Sequence, residues 1–243
     1  MMKLSALVDT DREVPIEIGM WAYAMLLAKA RVKSNDARRA KRRDRGEKKN
    51  LEGDLRGAFC ELFLFKEVIA QAAEDGVDHM RHHLFNPAGG GEEAGPDLQC
   101  AEGARQVCLD VKSFDCDPGK RYFAINADKH HKLRGCCDYY LCLLVAPLGP
   151  KAFVAKLVPY AAVDRWPMGE LGRYGDASCN LPIVDFISSY APGADIAALW
   201  TPAARYTEER VDACAAKPRI REGLTKWLPA LAPFLPEPSV STR

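Results

Sequence analysis

The spacing of hydrophobic positions changes along this chain, and each change of period marks an element. From Ile16 to Val32 apolar residues come with few interruptions, directly behind Pro15. Proline suits the start of a helix, so this stretch is predicted as a first helix with Trp21 and Leu27 on a core. Between Leu51 and Ala73, residues Leu51, Leu55, Ala58, Phe59, Leu62 and Ile69 fall on one helical stripe, which predicts a second helix ending before Gly76. The period then drops to two. Val107, Leu109 and Val111 alternate with Cys108, Asp110 and Lys112, so Arg105 to Phe114 is predicted as a strand. His82–Asn86 and Pro96–Cys100 are predicted as strands before it, and Phe123–Leu133 as a short helix after it. Cys137–Ala146 and Lys151–Val158 follow as strands. The first of these two is so continuously apolar that both its faces should be buried in a central sheet. After Tyr160 the prolines at 167, 182 and 192 break the chain into short pieces. Thr207–Ala215 and Arg219–Leu228 read as helices, and the closing PEPSVSTR as a tail without order.

The polar side of the Arg105–Phe114 strand is its unusual feature. Residues i and i+2 of a strand share a face, so Asp110 and Lys112 stand side by side on an otherwise apolar element. Packing gives little reason for a carboxylate and an ammonium there. If the segment beginning at Pro96 pairs with this strand, Asp97 arrives beside them. Two converging carboxylates repel unless a cation lies between them, and hard oxygen ligands suit Mg²⁺ or Mn²⁺. Glu61 lies about 80–100° from the centre of the second helix's stripe. It is either a boundary glutamate with its head in water or a carboxylate aimed into the same cleft.

Pro96-Asp97 followed by Asp110-Val111-Lys112, with Glu61 on a preceding helix, resembles the PD-(D/E)XK nuclease superfamily. A second Glu-x-Lys match, Glu47-Lys48-Lys49, lies in a basic polar run ahead of the Pro-Asp and is set aside. The resemblance covers about residues 51–158 and implies an α/β fold with a restriction-endonuclease-like core, a mixed central β-sheet flanked by helices. Residues 1–50 would be a helical, basic N-terminal addition and 159–243 a C-terminal addition used for target recognition or dimerisation, all in one nuclease domain. It implies a Mg²⁺-dependent DNA endonuclease, with Mn²⁺ able to substitute. Asp97, Asp110 and the Val111 carbonyl would hold the metal. Glu61 would hold a second ion or orient the attacking water, and Lys112 would place that water and stabilise negative charge. Double-stranded DNA would be the substrate, 5′-phosphate ends the product, and a homodimer the working form. A Type II restriction enzyme or related defence nuclease is the leading role. A repair or recombination nuclease, a non-catalytic DNA-binding protein of this fold, and an interaction protein with an accidental Asp-x-Lys are the alternatives.

Charge adds a partner to this picture. The net charge is only +1, but residues 29–49 hold eleven Lys or Arg against three acids. Such a block suits a polyanion, with Arg38, Arg39, Lys41, Arg42, Arg43 and Arg45 as candidate phosphate contacts. Asn126 and Lys129, on the polar side of the Phe123–Leu133 segment, are further candidates for DNA contact. Nine cysteines with no C-x-x-C spacing read as reduced thiols, and the charged N-terminus lacks a secretory pattern, so a cytoplasmic protein is expected. The longest apolar run, Gly19 to Ala28, is too short to cross a membrane. Other chemistry finds less support. His79, His82 and His83 cluster but bring no fourth zinc ligand, the loop PAGGGEEAG lacks the Lys and Ser/Thr of a phosphate-binding loop, and no G-x-S-x-G is present.

Overall fold

The structure is a computed structural model describing residues 11–36, 47–64, 80–82, 96–102, 105–171 and 176–235. Its framework is one sheet of seven strands. These are β1 (Arg12–Pro15), β2 (Met80–His82), β3 (Leu98–Glu102), β4 (Arg105–Asp115), β6 (Tyr139–Val145), β7 (Lys151–Val154) and β8 (Val158–Pro159). The order is β1-β7-β6-β4-β3-β2, with β8 beside the start of β6. Every pairing is antiparallel except β4–β6, which runs parallel from Leu109↔Tyr139 to Asp115↔Val145. A parallel pair needs a crossover. Here residues 116–138 supply it, carrying β5 (Tyr122–Asn126) and helix α3 (Ala127–Lys132). β5 joins β10 (Asp176–Pro182) and β9 (Met168–Leu171) in a second, three-stranded antiparallel sheet.

The large sheet separates two cores. On one face lie α1 (Ile18–Asp36), α2 (Glu47–Leu64), α7 (Glu208–Ala215) and α8 (Pro218–Trp227), packed on Val107, Leu109, Val111, Leu141, Leu143 and Val145. α1 is apolar nearly all round because neighbours cover nearly all of it. Its Trp21 stacks on Phe59 of α2 with ring centroids 3.8 Å apart, and the indole N–H donates to Gly149 O at 2.8 Å. On the other face Phe114, Tyr140, Cys142 and Leu144 meet Phe123 and Ile125 of β5, Phe186 of α5 (Ile183–Tyr190) and Leu199 of α6 (Ile196–Trp200). A one-turn helix, α4 (Tyr160–Val163), follows β8. β6 sends alternate side chains to the two cores, which is why its sequence is apolar without a break.

The mixed α/β arrangement with sheets flanked by helices agrees with the expectation at this level. Several elements differ in detail. The Phe123–Leu133 stretch is not one helix: β5 occupies its first part and α3 its second, with Asn126 as the hinge. Asn126 Oδ1 accepts from Lys129 N at 2.9 Å, so the cap itself ends the strand and starts the helix. The Lys151–Val158 strand divides into β7 and β8, each on a different stretch of β6. β1, β9 and β10 were not expected. α2 begins at Glu47, earlier than Leu51; the segment 65–79, most of the expected strand at 82–86, the loop PAGGGEEAG and the tail lie outside the described residues.

Candidate active site

The site begins where β3 stops. The β3–β4 register ends at Leu98↔Leu109, and one step further sets Asp97 opposite Asp110. Beyond Leu109, β4 continues to Asp115 along β6 on its other edge. The Val111 N–H on the abandoned edge would lack a ladder partner, and Asp97 Oδ2 accepts from it at 2.7 Å. The buried Pro96 precedes this bend. The Asp-x-Lys strand and the Pro-Asp bend therefore meet through backbone pairing, as the spacing requires.

Asp110 and Lys112 lie on the face of β4 that looks toward the second core, in register with Tyr140 and Cys142 of β6. Both are largely buried, their side chains 8% and 21% exposed. The Lys112 ammonium donates to Asp110 Oδ2 and lies 3.4 Å from Val111 O. It stands 5.4 Å from the centre of the Tyr140 ring. Burial works against its charge, but Asp110 and Asp97 overcome that and raise its pKa. The Asp97 pKa is raised too: burial, then the Asp110 and Glu61 carboxylates, lift its carboxyl to about 7 against the pull of Lys112 and the Val111 N–H.

Glu61 reaches this group from the opposite side. Its helix, α2, packs on the helical face, and Arg31 of α1 grips its carboxylate, Nη1 to Oε1 at 3.1 Å and Nη2 to Oε2. Asp97, at the open strand edge, feels both Glu61 and Asp110. Asp110, Glu61 and Lys112 thus all act electrostatically on Asp97, with Glu61 already paired to Arg31.

A divalent cation can be tested against these donors. Asp110 Oδ2 and the Val111 carbonyl already converge on one cation, the Lys112 ammonium, and Asp97 carries a repulsion that a positive charge would relieve. The donors are all hard oxygens, so the set fits Mg²⁺ or Mn²⁺. Among the described residues no three His, Cys, Asp or Glu side chains group closely enough to hold a metal by themselves. The shell would therefore need the backbone carbonyl and solvent.

Asn126 and Lys129 lie at the β5–α3 junction, where the Asn126 side-chain oxygen is taken by the α3 cap and Lys129 is exposed. The six basic residues from Arg38 to Arg45 lie outside the described residues. Two cations of the same basic block serve the fold internally: Lys29 pairs with Asp212 at 2.9 Å and Arg31 with Glu61. Sequence reasoning missed Arg31 and a chain of polar groups that runs from buried Tyr140 and His130 to exposed Asp164. There Tyr140 OH and His130 Nδ1 share a hydrogen bond of 2.7 Å, and His130 Nε2 meets Asp164 Oδ1 at 3.1 Å. The His130 ring stacks on Tyr160, whose hydroxyl donates to His130 O at 2.7 Å. Tyr140 was the available signal, since a buried phenol needs a partner.

Comparison with known protein families, curated proteins and solved structures gave no match. No helix among the described residues is long and apolar enough to cross a membrane.

Proposed function

We propose that this chain is a Mg²⁺-dependent endonuclease of the PD-(D/E)XK kind, with a restriction-endonuclease-like core, hydrolysing phosphodiester bonds of double-stranded DNA. The observation that carries the reading is the meeting of Asp97, Asp110, Val111 O and the Lys112 ammonium at one opened strand edge. A pair of interior strands that buries two carboxylates and a lysine for packing alone would be a poor design, because buried charge costs several kcal/mol per ion. Asp97, Asp110 and the Val111 carbonyl would hold the cation. When bound, Mg²⁺ supplies Lewis acidity that lowers the pKa of the attacking water and offsets charge on the phosphoryl group. Lys112, released from Asp110, would orient that water and stabilise the developing negative charge. A homodimer would place one such site on each strand, and a restriction or other defence role is the leading context.

A second reading has its own support. The chain's cations already match two of the three carboxylates, Lys112 on Asp110 and Arg31 on Glu61. A protein of this fold that binds DNA without cutting it would keep such internal pairs. Incubation of the full chain with supercoiled plasmid, with Mg²⁺, with Mn²⁺ and with EDTA, separates the two. Metal-dependent linear products with mapped 5′-phosphate ends are expected. DNA binding with no cleavage in either metal would support the non-catalytic reading.

A further inference from the structure

Glu61 is held on both carboxylate oxygens by a single guanidinium, and the pair is well buried, with side chains 13% and 17% exposed for Arg31 and Glu61. The planar fork of Arg31 matches the carboxylate edge that a metal ion would otherwise take. α1, which carries Arg31, is anchored by the Trp21 indole on Gly149 O and by the Trp21–Phe59 stack. Arg31 also feels the charges of Asp54 and Asp97.

We propose that Arg31 takes the place of a second divalent cation between Glu61 and Asp97, so that the site accepts one metal ion, on Asp97 and Asp110, and not two. This rests on the metal-dependent reading of the same site. Charge supports it. Asp54, Glu61, Asp97 and Asp110, opposed by Arg31 and Lys112, leave two net negative charges when all are ionised. One divalent ion balances them; a second would leave two net positive charges in a partly desolvated site. Arginine cannot escape by losing its proton, because a guanidinium stays protonated in proteins. A metal ion taking Glu61 would have to break both of its hydrogen bonds to that guanidinium. Lys112 differs in this respect, because its flexible stem ends in a point charge that can turn to another oxygen.

The test counts ions. Mn²⁺ is titrated into the full-length chain without DNA, followed by calorimetry and by electron paramagnetic resonance. Wild type is expected to bind one Mn²⁺ per chain, without the line broadening of a close manganese pair. Arg31→Met and Arg31→Gln, checked by circular dichroism, are expected to bind a second ion, more weakly, with that broadening. Two ions on wild type, or one ion on a folded Arg31 variant, would overturn the assignment. If both variants fail to fold, the wild-type count with its line shape decides. No Mn²⁺ on wild type overturns the metal-dependent reading itself and this inference with it, whereas two ions overturn only the role of Arg31.

Discussion

Strands β4 and β6 lie parallel and in step, yet only one of them obeys the packing logic of its place. Each is covered on both faces. β6 answers with Tyr140, Cys142 and Leu144 toward one core and Leu141, Leu143 and Val145 toward the other, all fully buried. β4 answers with Leu109 and Val111 on the helical face but with Asp110 and Lys112 on the other, directly beside Tyr140 and Cys142. The two strands share a backbone environment, so the difference lies in what their side chains are for. A local rule broken in the middle of a consistent core is where function is to be sought.

The strongest way to break the comparison is to remove the charge from β4. Asp110→Ala should cut Mg²⁺-dependent plasmid cleavage by roughly a thousandfold or more, the scale of losing a preorganised charge-stabilising group. Wild-type cleavage rates from this variant would end the catalytic reading of β4. The matching change in β6 should do the opposite. Leu143→Ala opens a cavity in the helical-face core and should lower unfolding free energy by about 3 kcal/mol. Cleavage per folded molecule should stay the same, and urea titration with an activity assay below the transition checks both. A Leu143 variant that lost activity while folded would mean that β6 also belongs to the site.

The Asp110–Lys112 pair sharpens the contrast further. Lys112→Met leaves the Asp110 carboxylate buried without its partner and should cost about 3 kcal/mol, whereas Asp110→Asn with Lys112→Met should recover most of that loss. Additive losses in that double-mutant cycle would show that the two charges do not couple. The last effect is a gradient with pH. Asp97 has its carboxyl raised from the ordinary 3.8 to about 7 in the folded chain. Between those values the folded state binds more protons than the unfolded one, so stability falls as pH rises through that window. The gradient is below one proton, under about 1.4 kcal/mol per pH unit. It should be seen in EDTA-treated wild type by urea unfolding from pH 4 to pH 8 and should vanish in Asp97→Asn.

Much of the β4–β6 contrast was legible in the sequence because both signals are local. Alternation around Asp110 gave the strand and its polar face, and the unbroken apolar run gave burial of β6 on both sides. What was not legible depends on distant pairing. β5 is five residues long and runs straight into α3, so its period of two never lasts long enough to be told from the helix that follows. Its partner β10 lies some fifty residues on, at Leu181↔Phe123. Arg31 sits in a basic run that reads as surface, and nothing near it announces Glu61, thirty residues later, as its counter-ion. Asp97 lies opposite Asp110 because the β3–β4 hairpin closes at Glu102↔Arg105, which fixes the register back to Leu98↔Leu109.

The covering of α1 has a consequence for how the chain reaches this structure. Tyr206 OH donates to Ile16 O across 190 positions, Lys29 meets Asp212 across 183, and β1 pairs with β7 some 140 residues downstream. During synthesis the apolar surface of α1 is therefore made early and covered late. Long-range closure of this kind slows folding, since loop entropy is lost before the contacts that reward it form. Until α7 and α8 emerge from the ribosome, α1 offers exposed Leu, Met and Ala surface to any chaperone within reach, and a nascent chain halted before residue 208 should be the aggregation-prone species of this protein.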